Sequence, residues 1–299
     1  MAKTMTKAPP QKQQAAPPAQ APAQYDGTTL RKWLYRTDIL DGLNAALGGW
    51  MEAPAFVASL LTSFEKPEIA CCTPESLYKC VHDCAAMAFL PILQHVALIP
   101  RKEKIDGRET GRKYCTVMPQ WQGYQALMLR NPEIQDVRAI LIHAKTDTYR
   151  FDPVLVQIVD HQYDPLAEAR VFNDFTDVRG GYLEISYRDR TRPIKHHIVH
   201  VNSIRKARAC AQTNDFWGPW FMEQVTKTIY RNAYSRRAVA IDPLVQIRMQ
   251  KAFALDDAIN ETTVIEAQPA LPRLGATGQS RAAAVVQQMQ GSTTPAPSA

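Results

Sequence analysis

The chain has 299 residues, with 35 Lys and Arg against 29 Asp and Glu, for a formal net charge of +6. That excess favours anionic partners without naming one. No apolar run approaches membrane-spanning length and the start Met-Ala-Lys-Thr has no apolar signal core, so membrane and secreted classes are set aside, and the six cysteines are expected as reduced thiols in the cytoplasm.

Residues 1–24 are mostly Ala, Pro, Gln and Lys, and residues 266–299 repeat the theme with Ala, Pro, Gln, Thr and Ser. Both read as disordered tails, because they offer too little apolar surface to offset chain ordering. The ordered body is then 25–265, long enough for one sizeable core. Helical signals dominate 28–93. Pro54 opens one helix, and Thr73-Pro74-Glu75 supplies an N-cap, a first-turn proline and an acid for another running to about Leu90, with Pro67 outside both.

Strand texture follows. His95–Arg101 and Lys113–Pro119 read as a hairpin around residues 102–108, whose Asp106-Gly107 is a turn signal. A short helix from Gln120 to Leu129 ends at Asn131-Pro132. Val137–Lys145 and Thr148–Phe151 read as a second hairpin, 152–179 as mostly loop, and Gly181–Arg188 with Ile194–Val201 as a third hairpin. Helices return near Asn202. Phe216-Trp217-Gly218-Pro219-Trp220 breaks the chain, and a long helix should start near Pro219. Helices, a central antiparallel sheet, then helices describe an α+β domain.

On the late helix Lys227 and Arg231 share one face, and like charges at that spacing repel, so an anionic partner explains them naturally. Tyr230 and Tyr234 place rings beside them, the pairing that single-stranded nucleic acid uses for phosphates and base faces. A solvated amphipathic helix with its Tyr residues in the core explains the same pattern. Other basic groups carry Arg101 and Lys102 on the first hairpin, Lys195 with Arg188, Arg190 and Arg192 on the third, and Arg205, Lys206 and Arg208 on the next helix. A groove lined by them would follow a phosphate backbone without reading sequence. Trp121 and Tyr124 could stack on bases or pack the core.

These residues carry a resemblance. Over roughly 30–250 the chain resembles the RecT family of phage single-strand annealing proteins. Cys72-Thr73-Pro74-Glu75-Ser76-Leu77 looks like its N-terminal helix start. Trp121-Gln122-Gly123-Tyr124, with Leu127, Arg130 and Glu133-Ile134, is similar to its aromatic-basic-Gly-Leu motif. Gly180-Gly181-Tyr182 resembles its entry to a central strand. Pro219-Trp220 and Lys227-Thr228-Ile229-Tyr230-Arg231 resemble its late signature. Gln122 departs from the usual cation, Asn232 from a second late Arg, and Ala211 from a Ser. The resemblance implies ATP-independent annealing by rings or filaments, with no cofactor beyond Mg²⁺ as a modulator. It also implies single-stranded DNA and the annealed duplex as ligands, and a partner exonuclease and a host single-strand binding protein as helpers.

Competing chemistries have thinner support. Gly107–Tyr114 has the wrong spacing for a phosphate-binding loop. Asp160, Asp164, Asp174, Asp177 and Glu184 could serve a metal-dependent nuclease, although Glu184-Ile185-Ser186 lacks the lysine that common nuclease strands carry. Cys80, His82 and Cys84 lie on one predicted helix without a second Cys pair, so small buried thiols are favoured over zinc. His196 and His200 share a strand face, which suits phosphate contact or plain surface better than a metal. The acids Asp256, Asp257, Glu261 and Glu266 read as a solubilising linker, with docking of a partner or competition with DNA for the groove as the alternatives.

Overall fold

A computed structural model describes residues 27–105, 108–211, 216–239 and 242–261. Both tails, the Asp106-Gly107 turn and Glu266 lie outside the described residues. The first helices are α1 (Gly27–Leu34), α2 (Thr37–Leu47), α3 (Ala53–Phe64), α4 (Pro67–Ala70) and α5 (Pro74–Met87). Prolines sit in the first turns of α3, α4 and α5, where a missing N–H costs nothing. Pro67 lies outside α3 and α5 as expected and opens a short helix of its own. Thr73 takes the N-cap position of α5 without a side-chain cap; instead the Ser76 hydroxyl donates to its carbonyl at 2.8 Å.

After a 3-10 turn, β1 (Val96–Ile105) pairs antiparallel with β2 (Arg108–Pro119), a longer hairpin than the sequence implied. Residues 108–113 are therefore strand, which closes the question of a phosphate-binding loop there. Helix α6 (Trp121–Leu129) then leads to β3 (Ile134–His143). The second expected hairpin does not form. β3 pairs with β6 (Val178–Tyr187), while β4 (Thr148–Asp152) pairs with β5 (Gln157–Gln162), inside the stretch expected to be mostly loop. The third hairpin is present, β6 with β7 (Lys195–His200), giving a sheet ordered β3-β6-β7. Helices α7 (Val201–Ala209), α8 (Phe221–Ser235) and α9 (Pro243–Glu261) follow. The chain is α+β.

Strand alternation sorts the two faces of that sheet. Val137, Leu141, Leu183, Ile185 and Val199 enter the main core with Val225 and Ile229 of α8, while Ile142, Tyr182 and Ile158 form a small cluster under the β4–β5 hairpin. Asp147 fastens this hairpin. Its fully buried carboxylate accepts from Arg170 at 2.9 and 3.1 Å and meets His161 at 3.2 Å, and His161 reaches the Tyr182 hydroxyl at 3.0 Å. Burial opposes the charge on Asp147, yet the Arg170 bonds hold its pKa below the usual carboxylate value. Such a buried network is satisfied from residues far apart in sequence, so no local pattern announced it.

Two glycines mark close approaches. A Cβ on Gly123 would stand 2.6 Å from the His95 carbonyl oxygen and 2.8 Å from Phe89 Cε2, and one on Gly181 would stand 2.6 Å from Ile229 Cδ1. Gly123→Ala should therefore destabilise by about 1–3 kcal/mol, although alanine is intrinsically the better helix former by about 1 kcal/mol. Gly42→Ala in α2, where a Cβ meets nothing within 4 Å, should stabilise by roughly 0.5–1 kcal/mol. Urea denaturation of the two variants checks both signs.

Candidate nucleic-acid interface

Helix α8 starts right after the Gly218-Pro219-Trp220 turn, packs on β3 and β6, and buries Phe221, Val225, Ile229 and Ala233. That stripe turns the next face toward α6 and α9, and Lys227 lies on it. Lys227 is only 5 % exposed. Its ammonium donates to Asp256 Oδ1, and the neighbouring Arg231 donates from Nη1 to Asp256 Oδ2 and from Nη2 to Asp257 Oδ1 at 2.7 Å. The Tyr124 hydroxyl points at the same Asp256 carboxylate from 3.5 Å. Burial pulls the Lys227 pKa below the ordinary lysine value against the attraction of Asp256. For Arg231 burial works the same way but is outweighed by Asp256, and the guanidinium is held above its usual value.

This arrangement bears on two readings of the sequence. Lys227 and Arg231 do stack and do need an anion, but in this conformation the anion is part of the chain. The acids Asp256 and Asp257 sit on a packed helix, α9, rather than in a solubilising linker. The signal was present as two like charges four apart and two acids 25 to 30 residues later, without anything local to join them.

Between α7, α8 and the end of α9 lies a cavity of about 480 Å³, lined by Lys206, Lys227, Arg231 and Arg236 together with Asp256 and Asp257. Arg205 and Lys206 are exposed on α7, while Val201 and Ile204 face the core. Arg205 reaches the Phe175 carbonyl at 3.4 Å, and Arg208 the Ala211 carbonyl at 3.5 Å. Lys195 lines a second cavity of about 550 Å³ beside Arg192 and Arg237, with its ammonium on the Ala238 carbonyl at 2.8 Å. Arg101 and Lys102 stand apart on β1, where Lys102 pairs with Glu109 at 3.0 Å. The structure thus gathers Lys206, Lys227 and Arg231 around one cleft, with Arg205 beside it on α7.

The aromatic candidates are core residues here. Tyr124 is fully buried, with its ring edge-on to Phe253. Trp121 is half-buried and stacks on Tyr230 at 6.1 Å and 10° between planes. Trp220 is the exposed ring of the region, at 55 %. Asn232, where the family usually carries a second late Arg, faces His197 Nε2 at 2.9 Å across to β7. His200 is exposed and caps α7 by accepting from the Asn202 N–H, while His196 is half-buried and accepts from the Ile158 N–H. Arg248 carried no signal in the sequence: it is buried and bonds the Leu47 carbonyl, fixing α9 to the carboxyl end of α2.

The candidate nuclease carboxylates are used separately. Asp160 pairs with Arg150, Glu184 with Arg138, and Asp164 and Asp174 cap their own turns. Among the described residues no group of three or more His, Cys, Asp or Glu is disposed to hold a metal ion.

The model of the RecT family matches residues 54–263, more than two-thirds of the chain. No curated protein matches it.

Breaking the buried pair should cost far more than losing an exposed one would. Lys227→Met alone leaves Asp256 short of a partner and should destabilise by about 3–5 kcal/mol. Adding Asp256→Leu should recover only part of that loss, because Arg231 keeps Asp257 but loses its Asp256 bond. Denaturation midpoints across the double-mutant cycle test this, and additive losses would show that the two groups do not act as a pair.

Proposed function

The chain belongs to the RecT family, whose members anneal single strands in recombination, and we propose that it does so without ATP by holding the phosphate backbone along the α7–α8 groove. The observation that carries this reading is the set of exposed cations Arg205, Lys206 and Arg236 around a cleft that α8 and α9 line with further charge. Annealing needs no catalytic side chain. Neutralised phosphates reduce the repulsion between two approaching strands, and binding that is blind to sequence lets registers be sampled until base pairing selects one.

One subunit spans few nucleotides, so the working species is a homo-oligomer, ring or filament, with a continuous groove. Its ligands are single-stranded DNA and the annealed duplex, with Mg²⁺ as a modulator only, and a partner exonuclease and a host single-strand binding protein act beside it in the cytoplasm. Among the described residues no helix is long and apolar enough to cross a membrane. Trp220, exposed at the start of α8, is the ring best placed to stack on a base.

The test follows annealing of complementary labelled oligonucleotides without nucleotide. The variant Arg205→Ala/Lys206→Ala/Arg236→Ala should anneal at least roughly tenfold more slowly. It should also flatten the logarithmic salt dependence of single-strand binding by about 2, at ~0.7 for each phosphate that the variant no longer neutralises. Unchanged rate and slope in a folded triple variant would refute the groove. Shortened oligonucleotides in the presence of Mg²⁺ would make the protein a nuclease.

A further inference from the structure

We propose that Lys227 and Arg231 form a phosphate subsite of the same groove, which the free protein keeps filled with its own Asp256 carboxylate, so that a strand enters fully only when the end of α9 gives way. This rests on the annealing reading above and concerns how that site is regulated.

The donor set is the first argument. An ammonium, a guanidinium and a phenolic hydroxyl converge on the two oxygens of one carboxylate, and Asp257 takes the other Nη of Arg231. The same donors fit two non-bridging phosphate oxygens, since a guanidinium presents its fork equally to carboxylate or phosphate. Continuity is the second. Lys206 and Arg236 line the same cavity as the filled pair, so a backbone lying on the exposed cations runs directly toward the buried ones. With the acids in place, four cations face two carboxylates; with them withdrawn, the four stand unopposed.

The third argument is mechanical. Helix α9 is fixed by its first three turns, through buried Val245, Met249 and Ala252, through Arg248 on the Leu47 carbonyl and through Lys251 on Asp83 at 2.9 Å. Beyond Asp256 the helix is less buried: Asp257 and Ala258 are exposed and Ile259 half-buried. The last turn of α9 carries no basic residue, and acids near the carboxyl end of a helix oppose its macrodipole. That end is held by the very cations a strand would claim, and helix ends open at far lower cost than helix middles.

A tethered carboxylate acts at a high effective concentration, so a lone anion in solution competes poorly with it. A strand already held at neighbouring phosphates carries the same tethering advantage and can displace it. The device therefore discriminates for length, admitting polyanions and refusing nucleotides.

The experiment measures hydrogen exchange of the full chain with and without a thymidine homopolymer, alongside affinities of the wild type, Asp257→Asn and the control Glu68→Gln on α4. Faster exchange at 255–259 in the bound protein is expected, with Asp257→Asn binding about two- to five-fold tighter than Glu68→Gln, the worth of one partly exposed ion pair. Binding with exchange at 255–259 unchanged or slowed overturns the displacement, whatever the affinities do. Failure of all three folded proteins to bind the homopolymer overturns the DNA reading itself, and this inference with it.

Discussion

The Asp256 carboxylate is the point at which the last helix is joined to the rest. Lys227 and Arg231 come from α8, Tyr124 from α6, and all three aim at one side chain of α9. In the interior each of these groups would be expensive alone, because a buried charge without a partner loses its hydration for nothing. Together they make a closed set. Their geometry is therefore mutually required, and it fixes the angle at which α9 crosses α6 and α8. Arg248 does the equivalent at the other end, directing its guanidinium to carbonyls that the carboxyl end of α2 leaves without intrahelical partners.

A layer of sheet lies beneath this arrangement. Because β6 is central, both of its faces must be covered, and the alternation of its side chains sends Leu183 and Ile185 toward α8 and Tyr182 toward the β4–β5 hairpin. Gly181 is there because Ile229 leaves no room for a Cβ. The groove cations on α8 owe their position to that packing: α8 can rotate little without driving Ile229 out of its seat.

Much of this was legible in the sequence, and what was hidden shares one cause. Helix starts at Pro54, Pro74 and the Pro219 turn, the helix 121–129 and the β6–β7 hairpin all depend on residues close in sequence, and those signals read correctly. The pairing of β3 with β6 across an inserted hairpin is non-local, so short apolar runs next to one another suggested the wrong partner. The burial of Lys227 was hidden for the same reason. Its partner is 29 residues away, and a lysine beside an arginine looks identical whether the anion is DNA or aspartate. Tyr124 read as a possible base platform because aromatic chemistry suits both a stack and a core, and only three-dimensional packing separates them.

A signature and a contact surface need not be the same residues. A surface that follows a backbone without reading bases is built from exposed cations, each worth little alone, and such residues can shift position on a helix face with small loss. A glycine seated against Phe89, or a lysine buried against Asp256, has no such freedom, since any change there is met by hard contact or an unpaired charge. The recognisable pattern of this chain, from Trp121-Gln122-Gly123-Tyr124 to Lys227 and Arg231, is thus largely a pattern of fold maintenance. The residues proposed to face phosphate are the less distinctive Arg205, Lys206 and Arg236. Lys227 and Arg231 belong to both sets only if the carboxylate that now satisfies them can leave, and that single exchange decides whether the most distinctive basic residues of the chain are scaffold or site.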